Sequence, residues 1–361
     1  MIYVSEALLY VCFALLMGNF VLRLVPEASR IAYHVPNGLL IACAVAIPIL
    51  SFVPLHQSAL LFAKDFDVPY LSMLQDMLRD IDAGKAWLWT LIASSSLAVL
   101  LGLKSFREDK HMPKVALFIL LLLIVWLGYA SHAASLYSWK GILAHSAHFL
   151  AVTVWVGVML VASWFSTSDD NWLAFVRLFS PIAIVCLLIA ILAGLTLMSF
   201  TTPQYLNAMM LPYGQLLLIK HLLLLPLLLF AYTNGFGYKR RMAQNVSFRP
   251  QPWLRAESVT ALLLFIVSGI LGQQTPPHDV KETLQSSSPS PLFTGLYKGS
   301  YSPDLQLTLS LSVDSILLAA AAVVLAAGFA RMAKDGRLWM SALMACLLAI
   351  CSYYAFMFAI I

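Results

Sequence analysis

Apolar residues dominate ten stretches of this chain, roughly 2–22, 38–55, 86–103, 115–131, 141–164, 182–200, 213–233, 254–272, 313–330 and 338–361, and charges gather between them. About 20 apolar residues in a helix match the hydrocarbon thickness of a bilayer. The pattern predicts an all-α fold, a polytopic transmembrane helical bundle of about ten spans. Between the second and third stretches the period changes. Leu71, Leu74, Met77, Leu78 and Ile81 recur at helical spacing, and Gln75, Asp76, Arg79, Asp80 and Asp82 fill the opposite side. That predicts an amphipathic helix lying on the membrane surface. Residues 273–312 are Ser/Pro-rich around Ser286–Pro291 and turn β-like at 305–311, the pattern of a partly ordered connector. The organisation predicted is an eight-helix core over 1–272, a loop over 273–312 and two added helices over 313–361.

Composition supports the membrane reading. The chain is 61% hydrophobic and 11% charged, with a mean hydropathy of +0.85, too apolar for a soluble domain. Charge then sets orientation, because loops rich in Lys and Arg stay on the inside. One set of loops holds Arg23, Arg30, Lys104, Arg107, Lys110, Lys114, Arg177, Lys239, Arg240, Arg241, Arg249, Arg255, Arg331, Lys334 and Arg337. The other set holds only Lys64, Arg79, Lys85, Lys140, Lys281 and Lys298. Both termini are therefore expected to be extracytoplasmic. The net charge of +5 needs no nucleic acid to explain it. No basic residue precedes the first stretch and Glu6 lies within it, so it reads as a retained span rather than a signal peptide.

Ionisable side chains inside such spans are costly and mark function by default. His145 and His148 lie in the fifth stretch, three residues apart and so expected on one helix face, with Trp155-x-Gly157 one to two turns further on. His132 lies just before. By the predicted topology all three imidazoles approach the outer leaflet, with Met198 at the same level and Met209 and Met210 in the next outer loop. Imidazole suits copper, and thioether sulfur selects Cu(I). Lys220-His221, two turns into a leucine-rich span, is the second anomaly; Lys220 either snorkels or pairs inside the bundle, with Glu6 a candidate partner. Glu257 beside Arg255 reads as an interfacial ion pair. Cys12, Cys43, Cys186, Cys346 and Cys351 are spaced for neither disulfides nor a thiolate metal motif and read as packing residues. One internal echo pairs Gly84 at the start of the third span with Gly214 at the start of the seventh. No nucleophile triad, phosphate loop or carboxylate pair points to an enzyme.

Five stretches in order give the chain a resemblance to a known family. They are Ser131-His132-Ala133-Ala134, His148-x6-Trp155-Val156-Gly157, Arg177-x-Phe179-Ser180, Tyr213-Gly214-x-x-Leu217-x-x-Lys220, and Leu254-Arg255-x-Glu257 leading to Pro276-Pro277. The set resembles the CopD family of copper-resistance and copper-uptake membrane proteins over roughly residues 70–280. The resemblance implies a multi-pass protein of the bacterial cytoplasmic membrane that handles copper ions, often with a CopC-like extracytoplasmic copper-binding partner. It implicates His132, His148, Trp155 and Lys220; His145 is added by spacing alone. No CopC-like domain precedes the first span here, so such a partner would be a separate chain. Thr90 stands where the family tends to carry a basic residue.

The leading expectation is a copper-binding protein that takes copper at the outer face with His132, His145, His148 and Met198 and moves it across the membrane. Lys220, Trp155 and Glu6 would line the path or support it. The rivals are a b-type haem redox protein with axial histidines, and a copper sensor or assembly factor that moves nothing.

Overall fold

A computed structural model describes residues 2–239, 249–302 and 304–361. Arg240 and Arg241 of the charge count lie outside them. The helices are α1 Ile2–Leu24, α2 Asn37–Asp65, α3 Tyr70–Asp80, α4 Asp82–Gly102, α5 Lys104–Arg107, α6 Met112–Tyr129, α7 His132–Phe165, α8 Trp172–Thr201, α9 Pro212–Tyr232, α10 Gln251–Leu271, α11 Val280–Ser286, α12 Pro291–Leu296, α13 Val313–Lys334 and α14 Leu338–Met357. Ten of these are long and apolar enough to cross a membrane. The chain is an all-α multi-pass membrane protein. It divides into two compact units, Met1–Phe200 and Thr201–Ile361.

In the first unit α1 packs against α2, α6 and α7. Small residues let backbones meet where apolar burial gives no net drive inside lipid. Gly18 of α1 lies against the Gly157 carbonyl, and Gly157 of α7 lies against that of Ala14, so a side chain at either glycine would strike backbone. The proline in α2 is also compensated. Pro48 has no N–H to give the Ala44 carbonyl four residues back. Ser94 of α4 supplies the missing donor, its Oγ 2.6 Å from that oxygen. A carbonyl that lipid cannot solvate is thereby satisfied across the helix pair.

The amphipathic helix forms as α3, but protein covers much of its apolar side. Tyr70, Met73, Leu74, Met77 and Leu78 pack with Phe52, Leu55, Ala59 and Trp87, while Leu71 stays exposed. His56 Nδ1 lies 2.7 Å from the Tyr70 hydroxyl, tying α2 to α3. The Gly84–Gly214 echo has a physical basis. Gly84 meets the Met77 carbonyl and Gly214 that of Ala208, each in the first turn of a span where the preceding short helix folds back. Gly141 meets Ala133 in the same way. The device thus recurs at three turns, each marking a tight re-entry.

The second unit joins α9, α10, α13 and α14, and the 273–312 segment folds onto it. Val280, Leu284, Phe293 and Leu307 share a buried cluster with Met209, Met210, Leu218, Met357 and Ile360. The connector is mainly short helices; its β-like run forms one antiparallel bridge, Leu309 to Ile360 near the chain's end. This segment and the last two helices pack with α9 inside the unit Thr201–Ile361.

Replacing Gly157 with Val should lower stability by about 3 kcal/mol or more, since overpacking against backbone cannot relax through side chains. Gly38→Ala, where an added methyl meets nothing within 4 Å, should be silent. Thermal unfolding of the two variants in detergent checks the contrast.

Candidate functional site

The histidine hairpin begins at a capped turn. The Ser131 hydroxyl accepts from the Ala134 N–H at 3.3 Å. α7 then kinks at Tyr137 and Ser138, and Ser138 has φ 46° and ψ −127°, in the half of the map that L residues avoid. Such a residue stores roughly 1–3 kcal/mol of strain. The kink lets residues 132–136 fold back so that Ala133 sits on Gly141. It also stacks Tyr137 on Phe200 of α8, centroids 4.0 Å apart. His132 is exposed at the mouth of this turn.

His145 and His148 are both half-buried, but they serve different neighbours. A step of three residues leaves two rings about 60° apart around a helix of 3.6 residues per turn. His145 lies near-parallel to Phe149, centroids 6.3 Å apart. Phe149 in turn meets Tyr10 and Phe13 of α1 edge-on at 5.4 and 5.2 Å. Tyr10 is hydrogen-bonded to the Glu6 carboxylate, so Glu6 belongs to the surroundings of His145. His148 turns toward α8, its Nδ1 2.8 Å from the Ala190 carbonyl oxygen. Its ring sits over Gly194, where an added Cβ would come within 3.3 Å of Cε1. A carbonyl only accepts, so Nδ1 donates here, which in a neutral ring leaves the lone pair on Nε2. That is the tautomer of a metal-binding imidazole held by an outer hydrogen bond.

Met198 is half-buried on the same side of α8 as Ala190 and Gly194, by its four-residue spacing. Trp155 is buried two turns beyond His148. Among the described residues no group of three or more His, Cys, Asp or Glu side chains is gathered closely enough to hold a metal ion. His132, His145 and His148 share a hairpin without forming a finished coordination shell.

Two polar contacts escaped the reading of the sequence. The thiols of Cys12 in α1 and Cys43 in α2 are both buried and lie close to each other. They are 31 positions apart on neighbouring antiparallel spans, so only a depth count along both helices would have paired them. Glu257 is 4% exposed and accepts from Asn234 Nδ2 at 2.7 Å, while Arg255 is exposed. The expected interfacial pairing of Glu257 with Arg255 is corrected: the carboxylate is an interior group. Asn234 reaches it from a π-helical turn, Thr233–Gly237, whose extra residue re-aims the side chain.

In the second unit Lys220 is half-buried and makes neither a hydrogen bond nor an ion pair among the described residues. Its neighbour His221 places Nδ1 3.1 Å from the Tyr205 hydroxyl, which burial pushes up to about 12. Met209 and Met210 are fully packed and act as core. Gln215 is 1% exposed; its Nε2 donates to the Met209 carbonyl at 2.7 Å and its Oε1 accepts from the Tyr353 hydroxyl at 2.6 Å.

Ten membrane-length helices carrying interior imidazoles and a facing thiol pair define a multi-pass membrane protein with donors suited to a soft or borderline transition metal. The chain belongs to the copper resistance protein D family. A family model described as copper resistance protein D matches residues 173–271, and one described as copper resistance protein D-like, N-terminal domain, matches residues 1–142. Together they cover about two-thirds of the 361 residues. Glu6, Cys12, Cys43 and His132 fall in the N-terminal match, and Met198, Lys220 and Glu257 in the other. His145, His148 and Trp155 lie between the two. No curated protein and no solved structure matches the chain.

Gln215→Leu should destabilise the second unit by about 1–3 kcal/mol, because it strips partners from a buried hydroxyl and a buried carbonyl. A Tyr353→Phe/Gln215→Leu double variant, which removes both ends of one hydrogen bond, should recover part of that loss in thermal unfolding.

Proposed function

We propose that this protein takes up copper at the outer face of the bacterial cytoplasmic membrane and carries it across. The observation that carries the reading is the bond that fixes the His148 ring, its Nδ1 2.8 Å from the Ala190 carbonyl oxygen, the kind of outer hydrogen bond that orients a ligating imidazole. His132, at the exposed mouth, would meet the ion first. His145 and His148 would receive it, with Met198 as a thioether donor on the facing helix. A shell that closes only around the ion suits a carrier, which must capture its cargo and still release it. Glu6, through Tyr10 and Phe149, would hold His145 in place.

Cys12 and Cys43 form the next candidate stop, a soft pair that favours Cu(I) over harder ions. Trp155 fills the space behind the histidines, and Lys220 serves the path or the packing of the second unit. The excess of basic residues on one set of loops supports extracytoplasmic termini, which would open the histidine hairpin to the outside. A separate CopC-like protein is the expected donor. The protein acts here as a carrier and not as an enzyme.

Metal analysis with an absorption spectrum on the detergent-purified protein tests this first. Copper should be near stoichiometric in wild type, lost in His132→Ala/His148→Ala, and retained in His278→Ala. Loss of the His148 ligand should weaken binding by more than the roughly 10–100-fold that follows loss of an outer hydrogen-bond partner. A Soret band without copper would assign the histidines to haem and sink the proposal.

Uptake into proteoliposomes separates carrier from sensor. Cys12→Ser/Cys43→Ser should keep copper at the histidines yet slow its entry. Copper binding with no flux in wild type would leave a sensor or assembly factor.

A further inference from the structure

A cavity of about 700 Å³ opens where α1 ends, α2 begins and α4 gives way to α5. One wall is a short antiparallel bridge, with the His34 N–H donating to the Phe165 carbonyl and the Thr167 N–H to that of Ala32, both at 2.9 Å. Arg23, Arg30, Arg107 and His34 line the cavity, and no carboxylate does. Arg23 donates to the Arg107 carbonyl at 3.0 Å, which spends one N–H of its guanidinium and none of its charge. Arg30 touches Glu27 at 3.4 Å, but that carboxylate is 92% exposed and outside the lining. The Tyr33 hydroxyl donates to the Asn19 carbonyl at 3.1 Å. Burial pushes its pKa up to about 12, so it adds no negative charge.

Two buried polar atoms of the lining have no partner among the described residues. Asn19 is 4% exposed, and its Nδ2 donates to nothing. Asn37 gives its Nδ2 to the Leu101 carbonyl at 3.2 Å, which leaves its Oδ1 without a donor. An unmet buried donor or acceptor is a standing cost that a bound group with complementary atoms removes. The cavity therefore offers three guanidiniums and an amide donor to acceptor oxygens, and one amide acceptor to a hydroxyl.

We propose that this cavity binds a phosphate-bearing anion, either the headgroup of an anionic lipid or a soluble phosphate. Its position supports both sources. It lies where spans meet water, at the depth of lipid headgroups, and Arg forks bind phosphate in pairs of hydrogen bonds. A phosphatidylglycerol headgroup carries both the anionic oxygens and the hydroxyls that the two asparagines lack.

The test uses the delipidated full-length protein and two probes. Phosphatidylglycerol retention is read by native mass spectrometry from nanodiscs that mix it with phosphatidylcholine, and inorganic phosphate binding is read by calorimetry in detergent. Wild type should favour at least one probe over phosphatidylcholine. Each Arg→Gln change among Arg23, Arg30 and Arg107 should weaken binding about fivefold, and all three together about 100-fold.

Lipid retained with phosphate ignored identifies a headgroup site; phosphate bound with comparable response identifies a soluble anion. Lys110→Gln/Lys114→Gln, on exposed residues outside the lining, should change neither result. If the triple variant fails to fold, Arg30→Gln alone carries the test. No preference for either probe, variants that bind like wild type, or equal losses from the lysine pair would overturn the proposal.

Discussion

The crossing of α1 and α7 at Gly18 and Gly157 is the constraint on which the first unit depends. Inside lipid there is no water to expel between helices, so attraction rests on van der Waals contact and on polar groups that find partners. Two glycines facing each other's backbones bring the helix axes as close as they can come. The residues that matter chemically then follow from register. About two turns toward the start of α7, Phe149 meets Tyr10 and Phe13 edge-on, and His145 lies near-parallel to that same ring. One face round, His148 is left to meet α8. A bulkier residue at position 157 would part the helices and dissolve that alignment without touching a single candidate ligand.

Several polar groups in this interior are satisfied in pairs. Ser94 takes the carbonyl that Pro48 strands. His148 takes the carbonyl of Ala190, and Gln215 bridges a carbonyl and a tyrosine hydroxyl. Asn234 faces Glu257, and one thiol faces another. Each pairing removes a desolvation cost that an isolated polar atom would carry in hydrocarbon. Each also holds a donor or acceptor in a known orientation, which an ion-handling protein needs. The kink at Ser138 is the counterexample: strain is retained there, at the turn that brings His132 back over the start of the span.

What was legible in the sequence and what was not divide along physical lines. Apolar run length reports membrane crossing directly, so all ten spans and the amphipathic helix 70–80 were readable. Contacts between helices distant in sequence were not. Nothing in a one-dimensional pattern says that Cys12 and Cys43 stand at one depth, or that α9 ends in a π turn that carries Asn234 to Glu257. The placement of His145 and His148 on one face was half right. Both rings sit on the protein side of α7, but a 60° difference is enough to give them separate partners. In the 273–312 segment the β-like alternation at 305–311 yields one antiparallel bridge, with Leu305 and Leu307 packed into the cluster on α9 and α14 and Leu309 and Leu311 left exposed.

The donors are also of two kinds. Imidazoles stand at the start of α7 and three to four turns into it, at His132, His145 and His148. Two of the five thiols, Cys12 of α1 and Cys43 of α2, are buried close to each other. An ion that loses hydration as it enters lipid is held best by ligands that do not rely on water to balance charge, and a copper ion in its reduced state prefers sulfur.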